Sequence, residues 1–83
     1  MKISVRRTHI TNAGVGAFRC PIACALNECP GISFASVGPA TCSYLYRGRR
    51  IYRMLPKEAR KFIDHYDEGL PVRGFTFSIS KRP

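Results

Sequence analysis

Polar and apolar positions alternate near both ends of the chain and take up a helical period in between. Lys2-Ile3-Ser4-Val5-Arg6 alternates with a period of two, as a half-buried strand does. Thr8 stands where it can cap a short helix ending at Gly14, and 15–19 reads as a loop. Pro21 suits the first turn of a second helix, Ile22 to Cys29, which Pro30-Gly31 closes. That helix carries Ile22, Ala23, Cys24, Ala25, Leu26 and Cys29 and is apolar nearly all round. A helix of this kind packs on more than one side, so it is expected at the centre of the core.

Ile32 to Val37 has the composition of a strand and runs into the turn signal Gly38-Pro39. Cys42 to Tyr46 and Arg50 to Met54 are two strand-like runs joined across Arg47-Gly48-Arg49, which predicts a hairpin. Both of its faces mix aromatic with charged residues, so the pattern leaves the register open. Pro56 opens a further helix, with Ala59, Phe62, Ile63 and Tyr66 at i, i+3, i+4 and i+7; Gly69 and Pro71 stop it. The last element alternates again, with Phe75, Phe77 and Ile79 inward and Thr76, Ser78 and Ser80 outward, before a tail Lys81-Arg82-Pro83 that is expected to fray. The order β-α-α-β-β-β-α-β predicts one α+β domain over residues 1–83, with a mostly antiparallel sheet of four to five strands and helices on one face. Ile22, Leu26, Phe62, Ile63, Phe75 and Phe77 are the expected core.

Composition narrows the function classes. A chain of 83 residues buries roughly 60% of the surface it exposes when unfolded, which leaves little room for a deep cleft beside a core. Five Phe and four Tyr argue for a folded chain. The formal net charge of +9 strains a small compact state through self-repulsion and points to a partner that neutralises it. The same sign excludes a mimic of DNA. Cys20, Cys24, Cys29 and Cys42 would suit a disulfide framework, but residues 1–7 hold no apolar run for a secretory signal. No stretch is long enough for a membrane span. A reducing cytoplasm is therefore expected, with reduced, metal-free thiols.

Three groups of residues resemble a known pattern. They are Cys20-Pro21-Ile22-Ala23, the helix Leu55-Pro56-x-x-Ala59-x-x-Phe62-Ile63, and the ending Asp67-x-Gly69-x-Pro71-Val72 to Phe75-x-Phe77. Together they resemble small uncharacterised bacteriophage proteins that carry a Cys-Pro-Ile-Ala-x-Ala core, over about the last two thirds of the chain. Members often have another cysteine three residues before the Cys-Pro; Ala17 stands there in this chain. The resemblance implies a phage accessory protein in the host bacterial cytoplasm. Small phage proteins of this kind frequently inhibit host machinery, CRISPR immunity included, by binding it.

The chemistry-bearing residues point to binding. Cys20 and Cys24 are four apart, and neither their spacing nor that of Cys24 and Cys29 is the two-residue spacing from which structural zinc usually starts. Buried thiols are the simpler expectation. Cys20 follows Arg19 at a helix N-terminus, where dipole and guanidinium would lower its pKa, and His9 or His65 would be the base, but no orienting acid is identifiable. Asp64, Asp67 and Glu68 read as a solvated helix end, with Arg60 pairing to Asp64. No catalytic residue, metal or cofactor is expected.

The basic residues are different. Seven of the fourteen fall within fifteen positions: Arg47, Arg49, Arg50, Arg53, Lys57, Arg60 and Lys61. Most are Arg, which recognises oxyanions bidentately, and Tyr44, Tyr46 and Tyr52 lie among or just before them. These seven, with Tyr44 and Tyr46 packed beside them, are the expected partner-binding face. The partner would be a host protein or ribonucleoprotein complex that the protein inhibits, or DNA or RNA bound directly without sequence preference. Signatures of sequence-specific recognition are absent from the chain. Membrane binding is not expected, and oligomeric state is left open.

Overall fold

A computed structural model describes residues 1–14 and 16–79, so the expectations for Val15, Ser80 and the tail lie outside the described residues. The elements come in the expected order: β1 (Lys2–Val5), α1 (Arg7–Asn12), α2 (Pro21–Asn27), β2 (Ile32–Val37), β3 (Thr41–Tyr46), β4 (Arg49–Met54), α3 (Lys57–Asp67) and β5 (Phe75–Ser78). They form one compact α+β domain. The strands divide between two antiparallel sheets, however, where the pattern suggested one: β1 pairs with β5, and β2-β3-β4 form a second sheet with β3 central. The reason lies in α2, which packs on β1, on β2 and on α1. Its apolar surface on nearly every side is what lets it sit between two sheets.

The first sheet brings the ends of the described chain together. Met1 N donates to Ile79 O at 2.8 Å and Ile79 N returns a bond to Met1 O at 2.9 Å. Ile3 and Val5 face inward opposite Phe77 and Phe75. All six expected core residues belong to one buried cluster, with Phe75 only partly covered. The cluster also takes in Tyr44, Ile51 and Leu55.

Two local details depart from the sequence reading. Thr8 lies inside α1, and Arg6 occupies the N-cap position. There His9 Nδ1 accepts the Arg6 backbone N–H at 2.9 Å, a role Glu or Gln usually fills in a capping box. Arginine has no acceptor to complete the pair. Strand β2 is bulged between Ser33 and Ser36. The bulge takes Ala35 N out of the ladder, and Asn27 Oδ1, at the end of α2, accepts it at 2.9 Å. Asn27→Ala would leave that N–H without its partner. The expected loss is about 1–3 kcal/mol in urea unfolding, and an unchanged midpoint would show that the bulge does not depend on Asn27.

Candidate nucleic-acid interface

The hairpin sets where the arginines point. Arg47 and Gly48 are its two turn residues, with φ of 51° and 82°. Positive φ at both is what a type I′ turn needs, and Gly48 meets that need without strain. A two-residue turn then dictates the register that the sequence left open. Cys42 faces Arg53, Tyr44 faces Ile51 and Tyr46 faces Arg49; on the other side of the sheet, Thr41 faces Met54, Ser43 faces Tyr52 and Leu45 faces Arg50. The first set holds the buried residues Cys42, Tyr44 and Ile51, so it is the core side. The second set is the open side.

The seven basic residues therefore do not share one plane. Arg49 and Arg53 stand on the core side of edge strand β4, Arg50 stands on the open side, and Arg47 is at the turn. Arg53 is half-buried, with Nη1 donating to Tyr52 O at 2.8 Å. Lys57, Arg60 and Lys61 are exposed on α3. Tyr44 does not reach the surface: at 0% exposure it is part of the core and can only support the face from beneath. Tyr46 is half-buried, and the Arg47 guanidinium lies 5.3 Å from its ring centroid, a distance at which the ring face attracts the cation.

Sequence reading missed the open side. Tyr52 is 72% exposed and Met54 67%; apart from them, Phe34, in the bulge of edge strand β2, is 70% exposed and lines a shallow hollow with Phe18 and Asn27. The signal for Tyr52 and Met54 was the alternation around Ile51, which becomes decisive once Ile51 is known to point inward. Phe34 had no such signal, because a bulge breaks the period of two. Across this face, Arg50 Nη1 donates to Phe34 O at 3.1 Å, so its side chain reaches from β4 over β3 to β2. The sheet carries no carboxylate at all: no Asp or Glu occurs between Glu28 and Glu58. The sheet and its turn thus carry Arg47, Arg49, Arg50 and Arg53 unopposed by any acidic residue of the same strands, with Arg50 beside the exposed Tyr52.

The remaining candidates lie elsewhere. Cys20 is the N-cap of α2, and its Sγ accepts from Ala23 N at 3.5 Å. Burial nevertheless pushes this thiol above its usual range, outweighing the Ala23 and Ile22 N–H groups that pull it down. The lowered pKa expected from the helix terminus is thus not found, because desolvation opposes the thiolate more than the dipole favours it. His9 is buried at the other end of α2, with Nε2 2.9 Å from Glu28 Oε2 but out of line for a good hydrogen bond. Eight residues of helix put Glu28 about 12 Å from Cys20 along the axis. Glu28 also pairs with Arg6 at 2.7 Å. Among the described residues, Arg60 and Asp64 form no ion pair, and no three His, Cys, Asp or Glu side chains are grouped to hold a metal ion.

Burial also pushes the Cys42 thiol from 9.0 up to about 11. An unfolded thiol ionises near 9.0 and the folded one near 11, so between these values the unfolded chain is the form that sheds the proton. Stability should therefore fall as pH rises through that window, by about 2–3 kcal/mol. Cys20, Tyr44 and Tyr66, all raised by burial, act in the same direction. Urea unfolding across the window should show a shallower slope for Cys42→Ala, and an identical slope would acquit Cys42.

Fold and surface define a small α+β protein with a cationic, open-faced sheet. Comparison of the chain with protein-family models, with curated proteins and with solved structures finds no match. No helix among the described residues is long and apolar enough to cross a membrane.

Proposed function

We propose that the protein is a non-enzymatic nucleic-acid-binding module that works through the β2-β3-β4 sheet and its hairpin. The observation that carries this reading is the absence of any carboxylate from Cys29 to Lys57, in a stretch that exposes Arg47, Arg49 and Arg50. Phosphates neutralise such a surface and release their counterions on binding, which supplies affinity without sequence readout. Gel shifts with arbitrary DNA and RNA at stepped salt test the reading. Log affinity should fall linearly with log salt; a lack of binding even at low salt would reject it.

The phage resemblance supports a second reading, in which the same face binds and inhibits a host defence or nucleic-acid-handling complex in the bacterial cytoplasm. Here a pull-down from nuclease-treated host lysate should retain a defined complex. An acidic protein groove would show its salt effect mainly in the association rate, whereas nucleic acid would show it in the equilibrium.

A further inference from the structure

We infer that the open side of the β2-β3-β4 sheet is a stacking platform for single-stranded nucleic acid, with a base on Tyr52 and phosphates on Arg50 and Arg47. The inference rests on the nucleic-acid reading above and specifies its ligand. Two observations carry it. Tyr52 and Met54 stand in solvent on the open side, on the same strand face as Arg50, and exposed apolar groups with a polar rim mark interaction sites. Finally, the bond from Arg50 to Phe34 O holds a planar guanidinium across the face. Held there, it presents a flat surface for stacking and further N–H donors for phosphate.

The occupant follows from chemistry and charge. Every base has a π-face that an exposed ring can stack on, but only an unpaired strand offers those faces while its phosphates reach the arginines. A duplex keeps its bases stacked inside and would leave Tyr52 idle. A second copy of the chain would bring the same carboxylate-free, arginine-bearing strands against one another, which like charges oppose.

Fluorescence anisotropy with labelled oligothymidine, oligouridine and a mixed-sequence duplex of equal length tests this at fixed salt. The single strands should bind about tenfold tighter than the duplex, and Tyr52→Ala should weaken them by about tenfold or more. Tyr52→Phe should keep the affinity, because the ring remains. Duplex binding should not respond to Tyr52→Ala.

If Tyr52→Ala binds single strands as the unaltered protein does, the platform is wrong while a salt-dependent polyanion surface stands. If no nucleic acid binds at low salt, both readings fall. Tyr52-dependent binding to phosphatidylserine vesicles, with no single-strand preference, would assign the face to a lipid surface instead. Concentration-dependent dimerisation that Tyr52→Ala abolishes would assign it to a second copy.

Discussion

Phe62→Ala is expected to remove about 3–5 kcal/mol of stability, enough to unfold much of the population of a domain this small. Phe62 projects from α3 into the core and is 7% exposed. Its ring centroid lies 4.8 Å from that of Phe75 and 6.1 Å from that of Tyr66, and Phe75 continues to Phe77 at 5.5 Å. These rings join α3 to β5, and β5 pairs with β1. Truncating Phe62 opens a cavity at the junction and removes the ring that seats the helix on the first sheet. A protein of this length has little other core to close the gap. Urea unfolding measures the loss, and a value below about 1 kcal/mol would mean that the α3–β5 junction is not a principal support of the fold.

Reversing Arg47, Arg49 and Arg50 together to Glu is expected to lower affinity for nucleic acid by about a hundredfold or more, because each glutamate meets a phosphate with like charge. Each change removes two positive charges, so the net charge falls from +9 to +3. All three side chains are exposed, and substitutions at such positions usually shift stability by no more than about 0.5 kcal/mol each. Arg53 is kept because it is half-buried and its charge lowers the Cys42 and Tyr44 pKa values, so reversing it would disturb the core. The salt dependence supplies a check that folding cannot mimic. Each single-strand phosphate that the variant leaves unneutralised should reduce the slope by about 0.7. Unchanged affinity with an unchanged slope would move the binding surface away from the hairpin.

Much of the fold was legible because its signals are local. Phe62, Ile63 and Tyr66 repeat at helical spacing, and Phe75 and Phe77 repeat at strand spacing. Either period can be read without knowing what lies opposite. The site was legible only as a charge. Arg47 to Lys61 reads along the chain as one cationic run, but a strand sends neighbours to opposite faces. Arg50 thus parts from Arg49 and Arg53, and Tyr44 goes inward while Tyr52 goes out. Cys20 misled for a related reason. The helix terminus that lowers a thiol pKa is visible in sequence, while the burial that raises it is not.

The sequence by itself determined the order of the elements, the helix faces, the presence of the hairpin and the clustering of positive charge, since each depends on residues close together in the chain; it spread the turn over Arg47-Gly48-Arg49, whereas Arg49 already belongs to β4. Tertiary structure decided the division into two sheets, the exposure of Phe34 at its bulge and the reach of Arg50 across the open face. Those features depend on which distant surfaces exclude water from one another. An apolar helix such as α2 can meet that demand on several sides, and only packing selects which strands it separates.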